Sequence, residues 1–263
     1  MVSALLKSLS AQLKSYSETL DKTNILADKP WALIDEEFEV QKLIFKRNNE
    51  LVLSRNGKVQ MGSWEYFPEA KSLLIDRGGD KILCNEAFID DAVMILKIDG
   101  TENNFYLFAN ENLIPDLDAI GYLKILRKLK LNILEKEMDD GRTIEIHRSF
   151  DFESPSVGHR VSIDFKDVED GIYEMHRQKS FIIVRNSLIA SFIYASKFVN
   201  PDGIEFVVHQ HERGEINPGD FFYLNGKLIL DSTFNFSKWK IAVLQEGVLV
   251  KLQWKNKLLR FIA

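Results

Sequence analysis

A chain of 263 residues can bury one large core or two smaller ones, and length alone favours two. Its 45% hydrophobic and 28% charged content is that of a soluble globular protein. A formal net charge of −5 excludes a surface that coats nucleic acid over its whole extent, and the single cysteine, Cys84, excludes an intrachain disulfide framework.

The chain starts with MVSALLKSLSAQLKSYSETL. Lys7 and Lys14 interrupt it, so it lacks the apolar stretch of a signal peptide, and no run elsewhere reaches the ~18–20 apolar residues that span a bilayer. With one cysteine, this sets the expectation of a cytoplasmic protein with no membrane partner. Val2, Leu6, Leu9, Leu13, Tyr16 and Leu20 recur at alternating spacings of four and three, the seam of an amphipathic helix. About three heptads are marginal alone in water, so this helix, with a lead-in completing residues 1–30, must dock on something. It can dock on its own domain or bind a protein partner or a second copy, and those six side chains are the candidate partner-binding face.

Over residues 31–112 the period changes from helical to two. EVQKLIFKR, ELVLSR, KVQMGSWEYF, SLLIDR, DKILCNEAFI, DAVMILKID and NNFYLFAN are seven candidate strands, separated by the turn sequences NN, NG, PEAK, GGD, DD and DGTE. They predict an antiparallel meander, closed as a barrel or packed as a sandwich. Gly62, two residues before Trp64, is placed to let a strand bend over a large buried ring, and Cys84 within KILCNEAFI reads as a buried, inert thiol.

The run KLIFKRNNELVLSRNGKVQMGSWEYFPEAKSLLID, closing in DGTENNFYLFANEN, resembles a family of uncharacterised β-rich proteins found mainly in Bacteroidota. The resemblance covers about residues 31–112. It implies a β-rich fold in a cytosolic bacterial setting, and it carries no activity or catalytic residues.

ENLIPDLDAIGYLKILRKLK follows. Pro115 with Asp116 and Asp118 marks a helix start, and Arg127, Lys128 and Lys130 favour its C-terminal end. A connector helix over 113–128 is expected to close or plug the meander.

Residues 129–263 contain an internal repeat. DGRTIEIHRSFDFESPSVG from Asp140 and DGIEFVVHQHERGEINPG from Asp202 align at an offset of 62, which pairs His147 with His209 and Glu153 with Glu215. One residue is then lost, so that Gly158 pairs with Gly219 and Asp170 with Asp231. A duplicated antiparallel β module is expected, with copies at about 129–187 and 188–263. The predicted class is therefore mainly β: a meander module, a connector helix and a duplicated β module behind an N-terminal helix.

Candidate chemistry is sparse. On one strand His209 and His211 share a face, and with Glu215 they could bind a divalent metal. The spacing Gly203, His209, His211, Glu215 resembles the first metal-binding motif of cupins. Phe222 stands where that motif needs glycine, however, and no histidine follows Glu215 to complete it. Copy one has Ser149 where copy two has His211, so a ligand pair is not a property of the repeat. There is no nucleophile elbow, P-loop or Gly-x-Gly-x-x-Gly, and no catalytic or cofactor-binding residue is assigned. A last feature is the basic strip Lys238, Lys240, Lys251, Lys255, Lys257 and Arg260, interleaved with Trp239, Trp254 and Phe261.

The sequence is thus read as a non-catalytic interaction or assembly protein that binds a protein partner or itself through the helix and its β surfaces. The alternative is a metal- or small-ligand-binding barrel, possibly an enzyme, using His209, His211 and Glu215. Nucleic-acid binding through the C-terminal strip stands third, against the acidic overall charge.

Overall fold

Alternating apolar and polar runs do build the first half of the chain, and they number eight. The computed structural model describes residues 2–18, 21–34, 41–176 and 180–255. Contacts divide the chain into two units, Met1–Leu131 and Asn132–Ala263. No helix among the described residues is long and apolar enough to cross a membrane.

In the first unit, helices α1 (Val2–Glu18) and α2 (Lys22–Leu26) precede strands β1 (Pro30–Leu33), β2 (Gln41–Phe45), β3 (Glu50–Arg55), β4 (Lys58–Phe67), β5 (Ser72–Asp76), β6 (Lys81–Ile89), β7 (Val93–Ile98) and β8 (Phe105–Asn110). Each strand pairs antiparallel with the next, and β1 also pairs with β8, so the meander closes into a barrel. The unexpected strand is β1. Its four residues are too few to show alternation, and its proline sits at the first position, where a missing N–H is tolerated. The Asn56-Gly57 turn between β3 and β4 has φ of 49° and 76°, the two left-handed residues of a hairpin turn whose twist matches its strands.

Side chains pointing into the barrel include Trp31, Leu43, Phe45, Leu51, Trp64, Leu73, Ile75, Cys84, Met94, Leu96 and Phe108. Phe45 and Trp64 meet edge to face at 5.2 Å. Both buried indoles find acceptors, Trp31 on the Leu26 carbonyl at 3.1 Å and Trp64 on the Lys46 carbonyl at 2.8 Å. Ile25 and Leu26 of α2 enter the same cluster, so this short helix stoppers one end. Cys84 is fully buried, and burial pushes its thiol up to about 11.

The expected plug, the connector helix, lies elsewhere. Helix α3 (Ala119–Lys130) packs on the outside of the wall, against α1 and β8. It also starts later than the expected residue 113. Leu117 takes a left-handed φ of 61°, and Asp118 caps the helix by accepting the Gly121 N–H at 2.8 Å. Leu6, Leu9 and Leu13 of α1 are buried, and α1 packs on β6 and α3. Val93, Ile95, Leu107 and Ala109 alternate with the inward residues and are buried too, so β7 and β8 are apolar on both faces.

A buried ion pair ties the helices to the barrel. Lys22 donates to the Ser17 carbonyl near the end of α1, to Ser17 Oγ at 2.9 Å and to the Ile89 carbonyl at 3.1 Å. Its Nζ lies 3.3 Å from Glu86, both side chains being about 5% exposed. Glu86 also accepts the Tyr66 hydroxyl at 2.6 Å.

The second unit holds β9 (Ile133–Glu137), β10 (Thr143–His147), β11 (Arg160–Ile163), β12 (Lys166–Asp167), β13 (Gly171–Met175), β14 (Ser180–Arg185), β15 (Leu188–Val199), β16 (Glu205–Gln210), β17 (Phe221–Leu224), β18 (Lys227–Leu228), β19 (Ser232–Asn235), β20 (Lys240–Gln245) and β21 (Val248–Trp254). All thirteen belong to one antiparallel sheet. Its geometry recurs along the chain. β11 and β12 reappear 61 residues later as β17 and β18, and β14 reappears 60 later as β20. The bridge Arg160↔Leu188 has its counterpart in Phe221↔Val248, and the bulge at Ile183/Val184 in that at Val243/Leu244. The Gly158 N–H meets the Ile189 carbonyl and the Gly219 N–H the Leu249 carbonyl, each at 2.8 Å. β15 begins at the expected boundary between copies and joins the two sides of it, its first half pairing with β14 and its second with β16. Each half has its own apolar cluster, around Ile144, Ile146 and Val184 in one and around Phe206, Val208 and Phe222 in the other.

Two substitutions test the first unit. A Cβ on Gly62 would collide with the carbonyl oxygen of Asp76, a backbone atom of the neighbouring strand. Gly62→Ala should therefore lower stability by roughly 1–3 kcal/mol in urea titration, the usual cost of overpacking. Lys22→Met should cost about 3–5 kcal/mol by stranding Glu86, and adding Glu86→Leu should restore much of that loss.

Candidate functional site

The sequence directed attention to His209, His211 and Glu215, and the structure does not assemble them into a metal site. β16 ends at Gln210, so the alternation that would put both histidines on one face stops between them. His209 lies between the rings of Phe181 and Tyr223, with centroids 5.0 and 4.4 Å away. His211 turns to Asp220, its Nδ1 lying 3.1 Å from Oδ1 while its backbone N–H donates to the same oxygen at 3.0 Å. The Glu215 carbonyl accepts from Gln210 Nε2 at 2.7 Å. Among the described residues no group of three or more His, Cys, Asp or Glu side chains is placed to hold a metal ion.

What these residues do is staple a loop. Asp220, only 1% exposed, also accepts the Asn217 N–H at 2.8 Å. The equivalent position in the first half is His159, whose Nδ1 accepts the Ser156 N–H at 3.2 Å. His159 pairs with Glu153 at 3.3 Å, and Glu153 accepts the Ser149 N–H at 2.8 Å. Asp220 thus stands where the first loop has His159, while the partner group comes from a different position in each loop, Glu153 in one and His211 in the other. His147 contacts Ser162 Oγ at 2.8 Å rather than Glu153.

The expected partner-binding face is also largely occupied. Leu6, Leu9 and Leu13 are buried within their own unit. Tyr16 stacks on Phe88 at 6.5 Å and carries the Lys130 ammonium 4.1 Å from its ring centre. Val2 is 38% exposed, and Leu20 lies outside the described residues. The leucines that made the seam attractive to a partner are covered by β6 and α3 because a closed barrel wall offers them an apolar surface.

A site that sequence spacing did not reveal lies at the barrel end opposite α2. There a cavity of about 850 Å³ opens between the ends of β2 to β5 and the turns that follow β3 and β5. Inward-facing positions supply most of it, with Lys42 and Ser54 joining from the outer face at the rim. Gln41, Leu43 and Phe45 alternate along β2, Leu51, Leu53 and Arg55 along β3, and Leu73 and Ile75 along β5 before Arg77. Leu43 and Leu53 form an apolar floor, ringed by Gln41, Ser54, Asn56 and Gln60 and by Lys42, Arg55, Lys58 and Arg77. Asp80 is the one acid in this lining among the described residues. Residues 35–40, which precede Gln41, include Asp35, Glu36, Glu37 and Glu39 and lie outside the described residues.

Two of the cations are held by neighbours. Lys42 pairs with Glu111 at 2.8 Å, and Arg77 pairs with Asp80 across the β5–β6 turn, where its carbonyl also accepts from Gln60. Against the same floor lies a smaller void of about 30 Å³, bordered also by Leu33, Ile75, Ile82, Tyr106 and Phe108. That is room for about one water. The barrel interior is therefore packed, and the mouth is where a molecule could sit.

No protein-family model, no curated protein and no solved structure matches the chain. The functional reading thus rests on the geometry of the chain itself.

His209 gives a pH test of the second unit. Burial pushes its imidazole below the ordinary value of 6.5, so the folded state disfavours the charged ring. Its contribution is fully present above about pH 6.5 and is lost as the pH falls and the unfolded chain takes up the proton first. Wild type should lose stability relative to His209→Phe as pH drops from 7 to about 5, a difference measurable by denaturant titration at each pH.

Proposed function

We propose that the first unit is a ligand-binding barrel that takes a small polar molecule with an acidic group at its open mouth. The observation that carries this reading is the 850 Å³ cavity with an apolar floor and a rim of amides and cations. Its volume falls within the range of small-molecule sites, and barrel mouths are a common location for them. Lys58 makes no ion pair among the described residues, and Arg77 presents its guanidinium at the rim from the β5–β6 turn. Leu43 and Leu53 would carry the apolar part of such a ligand. An eight-stranded barrel is just wide enough for side chains to fill, as they do here, so long lipid chains are poor candidates.

The second unit we read as two copies of one β unit joined through β15. The recurring bridges, bulges and loop staples support that reading. It provides a rigid sheet rather than a reactive centre.

Thermal unfolding against a panel of carboxylate- and phosphate-bearing small molecules tests the ligand reading. A true ligand at a hundred times its Kd stabilises the fold by about 2.7 kcal/mol. Lys58→Gln/Arg77→Gln should then weaken binding at least about tenfold, or ~1.4 kcal/mol, without lowering the unliganded Tm. If no member of the panel shifts unfolding, or the double variant binds as well as wild type, the mouth is not the site.

A further inference from the structure

The open end of the β20–β21 hairpin presents two large aromatic rings to solvent. Trp239 is 51% exposed and Trp254 71%. They sit at adjacent rungs of the hairpin and on alternate faces of it: Lys240 is the cross-strand partner of Trp254, and the Lys255 N–H donates to the Trp239 carbonyl at 2.9 Å, so each indole offers its own stacking surface. Each ring carries an ammonium over it, Lys238 at 5.3 Å from the centre of Trp239 and Lys240 at 5.2 Å from that of Trp254. Lys251 and Lys255 add two more cations on the same hairpin. Its single acid, Glu246, is in the turn at the far end, about 20 Å along the strands at ~3.3 Å per residue. The acid tied to the open end is Asp202, which accepts from Asn235 at 3.0 Å and Asn200 at 3.4 Å.

We propose that this hairpin end is a platform for single-stranded nucleic acid. Indole faces stack bases irrespective of sequence, and the lysines now lying over them can swing aside to pair with the flanking phosphates. The charge is local: a chain with net −5 cannot coat a duplex, but four lysines around two indoles make a short basic strip. An acidic peptide would use the lysines and leave the rings idle. A duplex would hide its base faces, so both ligands differ from a single strand in what they ask of the tryptophans.

Fluorescence anisotropy of the full chain with a labelled oligothymidylate of about ten nucleotides tests this at low salt. Binding should quench tryptophan emission and weaken with salt, the log–log slope losing roughly 0.7 for each lysine removed, as in Lys240→Gln. Trp254→Ala should weaken binding at least fivefold while Trp254→Phe retains most of it. Lys58→Gln/Arg77→Gln at the barrel mouth should leave it unchanged, which separates this site from the ligand site proposed above. Absence of binding at low salt overturns the proposal. So does equal binding of duplex or of polyglutamate, or indifference to Trp254→Ala.

Discussion

Closure of the barrel by a four-residue strand is the constraint on which the first unit depends. Without β1, the outer edges of β2 and β8 would stand open, and exposed edges invite pairing with other chains. β1 pairs with both. It also places Trp31 in the interior, where the indole N–H reaches the Leu26 carbonyl and draws α2 over one end. Closing the ring at eight strands limits its radius, so the side chains fill it and the large cavity lies at the mouth. The stopper, the packed interior and the open cavity at the other end therefore follow from one strand pairing.

The helices answer a second requirement. β7 and β8 are apolar outside as well as inside, and α1 and α3 cover that outer surface. The cost of burying Lys22 and Glu86 in this covering is offset by a dense set of acceptors: two carbonyls, a hydroxyl and the carboxylate. Breaking either side strands the other, which makes the pair a specific latch between α1, α2 and β6.

The second unit solves a different problem, holding thirteen strands in one sheet in which bridges and bulges recur along the chain. What recurs there is hydrogen-bonding role more than residue type. Positions 159 and 220 must accept a backbone N–H from the loop, and a histidine ring nitrogen and a carboxylate oxygen both do so. The partner group, Glu153 in one loop and His211 in the other, comes from a different position in each. This explains why a histidine pair visible in one copy has no counterpart in the other. The difference lies in which group in each loop accepts the backbone N–H.

By itself the sequence determined the β class, seven of the eight strands of the first unit with their turns, and the N-terminal helix, because period-two and heptad patterns are local and tight turns advertise their residues. The burial of Cys84 was also legible from its neighbours, whereas Gly62, expected to let a strand bend over Trp64, is needed for the close approach of the Asp76 carbonyl. Three features were decided only by tertiary structure. β1 is too short for a pattern and becomes a strand because β2 and β8 both need a partner. α3 lies outside the barrel because its apolar stripe matches the wall, which nothing in its own residues specifies. The cavity is built from Gln41, Arg55, Gln60 and Arg77, polar residues at the ends of separate strands, and only barrel closure brings them around one opening. His209, His211 and Glu215 are the converse: close in sequence, they are separated by the end of a strand after Gln210 and by the pull of Asp220.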